Sequence, residues 1–444
     1  MRSNPGALPV AIVGGGFSGT MLAAQLARRG IASLLIEKAG RAGEGTAYST
    51  RDPAHLLNLR TEQMSAWAEE PRHFDDWLRA KGFPTGAFVQ RLRFGEYLRE
   101  ILAEAVASGL VTVVAGEAVA AHRDGNGWKV ALGNGRELEA GDVALALGNQ
   151  PPAPLQLGQG RIDPALLCDD PWSDGGRAQV AKAALSHAPV VVVGTGLTMV
   201  DMVLTLAEAG HDGTVTALSR RGLDPRGYTF RPAPELDGGS APNGLMPLWR
   251  WVRRHVGHGD DWRARIDSIR PRSAELWQGL SDGEKRRFMR HARPWWDVHR
   301  HRIAPEVASL IEARKTSGKL EVLAGRIRGA EGDGEQVTLT IAARDGRRIE
   351  RKAGLVVNCT GPLGAVRRTR DPLLRQLLDD GLAAPDSLGI GIAADARDAA
   401  TASERLWVMG PLSKARQWEI IAVPDIRGQA ENVAASIANV RNAT

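Results

Sequence analysis

An α/β fold with two parallel-sheet domains, one inserted in the other, is predicted by three observations. Two glycine-rich turns each follow a strand-like apolar run. Pro9-Val-Ala-Ile-Val13 leads into Gly14-Gly15-Gly16-Phe17-Ser18-Gly19, and Pro189-Val-Val-Val-Val193 leads into Gly194-Thr195-Gly196. Each turn is followed by an apolar-periodic stretch, to Leu26 and to Leu206, and 444 residues are too many for one small core. Strand, glycine turn and helix in that order open a Rossmann-like βαβ unit. The division that follows puts 1–160 and 340–444 in a discontinuous first domain. It puts 185–325 in the second, with an additional helical segment at about 240–305.

In the first unit Gly14 permits the tight turn, Gly16 lets the backbone approach a pyrophosphate, and Gly19 lets the helix pack on the sheet. The helix start then offers free N–H groups to phosphates. The second strand, Ser33 to Ile36, ends in Glu37, whose carboxylate can accept hydrogen bonds from ribose hydroxyls. A carboxylate there repels a 2′-phosphate, so FAD or NAD(H) fits and NADP(H) does not. Phe17, Ser18 and Lys38 are added as neighbouring contacts. Downstream, Gly43 to Tyr48 reads as a flexible turn that could run beside the cofactor. His55 to Arg60, with Asn58, could pass its redox ring or be a plain surface loop.

The second unit has Met199 where a third small residue is common, so helix and strand must sit further apart. Its second strand, Thr214 to Leu218, ends in Ser219-Arg220-Arg221. Two guanidinium groups and a hydroxyl stand where Glu37 stood in the first unit. They can bind a 2′-phosphate by charge-assisted hydrogen bonds, which favours NADPH over a merely solvated basic turn. A chain that binds two dinucleotides usually passes electrons between them, so the leading reading is a flavoprotein reduced by a nicotinamide.

Between and after these units, strand-like runs cover Val111 to Ala115, Trp128 to Leu132 and Asp142 to Leu147. Gly148-Asn-Gln-Pro151 breaks the chain and reads as a crossing between domains. Leu355 to Thr360 ends in Gly361-Pro362, and Leu406 to Met409 ends in Gly410-Pro411. Gly148, Gly361 and Gly410 are therefore candidate cofactor contacts. A helix from Pro424 to about Asn439 completes the first domain. The stretch Leu245 to Arg302 holds six of the twelve tryptophans and five of the ten histidines. It reads as a packed helical cap, as a substrate wall built from Trp296, Arg293, His299 and Arg300, or as a nucleic-acid surface. His299 and His301 have no accompanying ligand motif, so no metal is expected.

Composition narrows the class. Hydrophobic content of 43% and charged content of 24% are those of an ordinary globular protein. A net charge of +6 suits anionic cofactors or substrates, while nucleic acid would want a denser patch, so none is expected. No apolar run approaches the ~20 residues of a membrane span, and no secretory signal is visible. Cys168 and Cys359, the two cysteines, imply no disulfide framework and fit a cytoplasmic setting. The missing Cys-x-x-Cys argues against disulfide exchange of the thioredoxin-reductase type.

Taken together, Gly14 to Gly19, Gly45-Thr-Ala-Tyr48, Asn149, Trp295-Trp-Asp-Val-His-Arg-His-Arg302 and Asn358-Cys-Thr-Gly-Pro362 resemble the FAD/NAD(P)-binding family that includes a bacterial FAD-dependent urate hydroxylase. More distantly, the chain is similar to flavin-containing and N-hydroxylating monooxygenases. The resemblance implies FAD at Gly14, Gly16, Gly19 and Glu37, and NADPH at Gly194, Gly196 and Arg220. It implies that NADPH reduces the flavin, which then reacts with molecular oxygen to hydroxylate a small molecule; the Trp- and Arg-rich stretch suits a planar or anionic one. Asn58, Arg293, His299 and Arg300 are the candidate catalytic residues. Gly410-Pro411 departs from the Gly-Asp pair that many flavin reductases carry. Two alternatives stay open: a reductase or dehydrogenase without oxygen insertion, and a non-catalytic flavin-binding partner or redox sensor.

Overall fold

Each glycine turn leaves the carboxyl end of a central parallel strand, and the two sheets are built on one plan. The computed structural model describes residues 8–229, 241–256, 262–332 and 334–443. The chain opens with β1 (Val10–Val13), β2 (Ser33–Glu37), β3 (Val111–Ala115), β4 (Ala118–Asp124), β5 (Gly127–Leu132), β6 (Glu137–Ala140) and β7 (Asp142–Leu145). It continues through β8 (Gln159–Gly160), β9 (Leu167–Cys168), β10 (Val190–Val193), β11 (Val215–Ser219) and β12 (Leu320–Gly332). Then come β13 (Val337–Ala343), β14 (Arg348–Ala353), β15 (Leu355–Asn358) and, after a long excursion, β16 (Leu406–Val408).

The first sheet runs β16-β7-β1-β2-β3, all parallel, with β1 in the middle and buried along its length. Continuous Val-Ala-Ile-Val is what a strand covered on both faces requires. The helices Phe17–Arg28, Arg91–Ala107 and Val423–Asn442 pack on one face. The antiparallel ribbon β4-β5-β6 and the helix Pro372–Asp379 cover the other. Asp142, at the start of β7, is fully buried, and its charge is met by Arg441 at 2.8 Å and by the Trp407 indole N–H at 3.1 Å. That carboxylate ties the end of the terminal helix to the sheet.

The second sheet runs β14-β13-β12-β11-β10-β15-β9, with β8 joined to β12. The helices Asp174–Ala184, Leu197–Glu208 and Pro305–Thr316 cover one face, and the β12-β13-β14 meander folds over the other. A register shift between Ile327 and Gly329 lets β12 bend from the parallel sheet into the meander.

Two sequence expectations need correction here. The sequence places the chain from 340 in the first domain, yet β15 pairs with β10 in parallel, Val190 beside Leu355. Strands up to Asn358 therefore belong to the second sheet, and so do β8, β9 and the helix before 185. A four-residue apolar strand carries no mark of which sheet it joins. The turn at Gly43 to Tyr48 is not loose either, since Gly45–Tyr48 forms one helical turn held by Gly15 and Arg41. Helices do fill the Trp-rich stretch, at Leu245–Val256, Trp262–Ile269, Ser273–Gln278, Asp282–Arg287 and Arg293–Arg300. Residues 230–240 and 257–261 lie outside the described residues.

Candidate functional site

At the first turn, Gly14 has φ +105° and a side chain there would meet the Ala146 carbonyl oxygen at 2.4 Å. Gly19 is as constrained, since a Cβ would lie 1.9 Å from the Gly14 oxygen. Both glycines are fixed by the fold. Gly16 differs: its φ is −76° and a Cβ would meet only the Gly45 α-carbon at 3.5 Å. No side chain caps the helix that begins here, so the N–H groups of its first turn face outward for an anion. Glu37 accepts the Gly15 N–H and the Ala39 N–H, each at 2.8 Å, which fixes its carboxylate beside the turn. A carboxylate has about four acceptor sites, so capacity remains for ribose hydroxyls. Lys38 pairs instead with Glu117 at 2.9 Å on the surface. Gly410 leans on this site from the C-terminal side, with φ +62° and space for a Cβ closed by the Ser18 hydroxyl at 2.8 Å.

The second turn repeats this plan. Gly194 has φ +116° and a Cβ would meet the Cys359 oxygen at 2.0 Å, just as Gly14 meets Ala146. Gly148 (φ +64°) and Gly361 (φ +84°) therefore occupy equivalent places, one beside each turn. Gly196 has open space at its Cβ, and its helix also starts without a side-chain cap. Ser219 is engaged by the fold, accepting from Thr195 and from the Gly222 N–H at 3.0 Å. Arg220 is exposed and Arg221 half-buried, and neither guanidinium pairs with a side chain among the described residues. Two free cations at the end of β11 suit a phosphate.

The helical segment lies between β11 and β12 in the chain and packs on Leu388, Ile390 and Trp418. Trp277 stacks near Trp418 with ring centres 4.9 Å apart, and its indole N–H donates to the Ala415 carbonyl at 2.8 Å. Trp296 donates to Glu419 at 2.8 Å, and the buried Arg300 lies 3.2 Å from the same carboxylate. Arg270 donates to Gln63 at 3.0 Å. Burial, then the neighbouring Arg300, holds the Arg270 guanidinium below its ordinary pKa, and burial raises the Asp425 carboxyl. Trp418, Glu419 and Asp425 all follow Gly410, so this charged cluster stands on the segment that leans on the first turn. Of the sequence candidates, Arg300 is inside it. Arg293 is on its rim, paired with Asp297 at 3.2 Å. His299 turns elsewhere, to the Trp295 carbonyl at 2.7 Å and the Trp262 ring, and burial lowers its pKa. Asn58 is half-buried, makes no side-chain hydrogen bond among the described residues, and lies three residues before the Thr61–Gln63 turn that Arg270 touches. Arg270, Lys414, Glu419 and Asp425 escaped the sequence reading, because each stands in an undistinguished local pattern.

Burial, then Arg293, pushes Lys414 from 10.5 down to about 8. A lysine with a depressed folded pKa costs stability below that value, and the cost fades as pH rises from about 8 towards 10.5. Lys414→Met should therefore melt higher than the parent at pH 7, by at most about 3 kcal/mol. The gain should vanish near pH 10, and melting curves that stay parallel from pH 6 to 10 would contradict this.

Residues 11–150 match the FAD-NAD(P)-binding family. That match falls on the first turn, Glu37 and the strands that carry them. No curated protein matches the sequence. Among solved structures, the fold is similar to the ornithine N-hydroxylase of Kutzneria sp. 744, described with reduced FAD, NADP⁺ and L-ornithine (15% identity, TM-score 0.67, 98% of this chain and 100% of that one). It is similar to L-lysine 6-monooxygenase from Pseudomonas syringae (16%, 0.67, 97% and 99%). It is also similar to a bacillithiol disulfide reductase from Staphylococcus aureus (14%, 0.58, 99% and 100%). At these identities the likeness shows a shared fold over nearly the whole chain. No described helix is long and apolar enough to cross a membrane, and no group of three or more metal-ligating side chains occurs among the described residues.

Proposed function

We propose that this chain is an FAD-dependent, NADPH-using monooxygenase that hydroxylates a small anionic molecule. The observation that carries the reading is the pair of uncapped glycine turns, one with Glu37 and one with Arg220 and Arg221. The N–H groups at Gly16, Phe17 and Ser18 would hold the FAD pyrophosphate and Glu37 its ribose. Those at Gly196 would hold NADPH, with Arg220 and Arg221 on the 2′-phosphate. When bound, reduced FAD supplies two electrons to molecular oxygen, so that one atom enters the substrate and the other leaves as water.

The substrate side is assigned to Arg270 and Arg300, with Arg293 and Asn58 at its edge and the indoles of Trp277, Trp296 and Trp418 excluding water. The half-buried Arg270 guanidinium, held below its ordinary pKa by burial and then by Arg300, favours an anionic group on the substrate. His299 is engaged away from this wall, by the Trp295 carbonyl and the Trp262 ring, and is left out of the substrate side. The chain's two cysteines are buried and burial raises both thiols, which leaves no exposed dithiol for exchange with a disulfide. Buried free thiols also accord with a cytoplasmic setting.

The test is anaerobic reduction of the FAD-loaded protein by NADPH, followed by oxygen and a panel of amino acids, amines and purines. Bleaching, reoxidation and a hydroxylated product are expected together. Stoichiometric peroxide with every candidate would favour a reductase, and unbleached flavin would favour a non-catalytic module. The coenzyme preference is tested separately. Arg220→Ala with Arg221→Ala should raise the NADPH requirement about 10- to 100-fold, the value of one or two charge-assisted hydrogen bonds, and leave NADH use nearly unchanged. Equal losses with both coenzymes would assign these arginines to the fold.

A further inference from the structure

Asp201, five residues beyond Gly196 on the second dinucleotide helix, is buried at the junction of the two domains. Its two carboxylate oxygens accept from Nη1 and Nη2 of Arg91, each at 2.9 Å, a forked pairing. Arg91 opens the Arg91–Ala107 helix of the first domain, and its Nε donates to the Leu56 carbonyl at 3.0 Å. Beside this pair lies His55, only 3% exposed. Its Nε2 is 3.1 Å from the Asp201 carbonyl and 3.0 Å from Thr205 Oγ1, while its Nδ1 is 2.8 Å from Thr50 Oγ1. Thr205 donates in turn to Asp52 at 2.6 Å, and the Asp52 N–H donates back to Thr50 at 3.2 Å. Asp52 Oδ2 lies 3.5 Å from the same His55 Nε2. Ala54, Leu56 and Phe88 of the first domain pack on the second core around this cluster.

The backbone joins the domains by two linkers, after β7 and after β15, which are tied to each other by Leu363 N–H to the Gln150 carbonyl at 3.3 Å. Two adjacent linkers act as a hinge and leave a rotation undetermined. The buried cluster restrains it, alongside Arg177, which donates to Ser49 at 2.9 Å, and the helical segment seated on Glu419.

We propose that Asp201 is a positioning residue, clamping the nicotinamide-side helix to the flavin domain through Arg91 and His55 so that hydride transfer occurs at a fixed separation. The proposal rests on the reading that NADPH reduces FAD. In that step NADPH gives up a hydride with its two electrons and leaves as NADP⁺, and FAD takes the hydride and one solvent proton. A misplacement of about 1 Å can slow such a step about 10²-fold.

The variants are Asp201→Asn, which keeps the volume, and the exchange Arg91→Asp with Asp201→Arg. Asp201→Asn should retain FAD and half-saturate with NADPH within about threefold of the parent. Its limiting rate of anaerobic bleaching should fall about 10- to 100-fold, and the exchange should restore part of it. A second readout needs no cofactor. Spin labels on Glu104→Cys and Glu208→Cys, both exposed, should give one narrow distance in the parent apoprotein and a broad one with Asp201→Asn. An unchanged limiting rate with an unchanged distance overturns the proposal. If Asp201→Asn does not fold, Thr205→Val loosens the same cluster, and a parental rate and distance in that variant overturn it equally. A parent that NADPH fails to bleach sinks the monooxygenase reading, and the spin-label distances then still decide whether the clamp exists.

Discussion

Replacing Gly16 by valine should give a folded but colourless protein. A Cβ at Gly16 fits in the fold, with φ −76° and its nearest neighbour, the Gly45 α-carbon, at 3.5 Å. The space it would fill is that over the uncapped helix start, where a pyrophosphate must come within hydrogen-bond distance of the backbone N–H groups. Cofactor loss of at least about two orders of magnitude follows if two or three such charge-assisted bonds are lost. Gly14→Ala and Gly19→Ala are the contrast, because their side chains would collide with carbonyl oxygens at 2.4 and 1.9 Å. These should lose the fold along with the colour. Circular dichroism and flavin absorbance separate the two cases, and a yellow Gly16→Val protein with a full FAD complement would end the assignment of this turn.

Gly196→Val should be the mirror image: yellow, stable and no longer bleached by NADPH. The Cβ of Gly196 meets no atom within 4 Å, so the fold tolerates it, yet it stands over the second uncapped helix. Dithionite should still reduce this variant, and oxygen should still reoxidise it, which isolates the defect to nicotinamide binding. Normal NADPH bleaching would mean that the second turn holds something else.

The glycine turns were readable from sequence because their demands are local. A positive φ and a carbonyl pressed against the α-carbon leave only glycine, and the flanking Val-rich strands announce themselves within a few residues. The strand ends were local in the same way, and Glu37 closes β2 while Arg220 directly follows β11, where the pattern places them. Larger groupings were not. β15 is as apolar as β1, and nothing in Leu-Val-Val-Asn says that it pairs with β10. The ribbon strands β4 and β6 expose one face, and their weak alternation hid them. The clamp was invisible because Arg91 and Asp201 lie 110 residues apart. The tryptophan-rich stretch was legible as a helical unit, but its seat on Trp418 and Glu419 was not, with 123 residues between Trp296 and its acceptor.

The position of the terminal helix has a consequence for how a ribosome delivers this protein. The inserted domain has its last strand at Asn358, while the outer domain waits for β16 and then for the helix Val423–Asn442. That helix brings Ile426, Val433 and Ile437 against Met21 and Leu22, all of them buried. Each is worth about 1.5–3 kcal/mol of burial. Until translation reaches it, the first part made is the last part finished, with its apolar helix face open to aggregation while the middle of the chain is already folded. Removing the chain from residue 423 onward should therefore leave a soluble inserted domain attached to an unfinished outer one, and cells should degrade it.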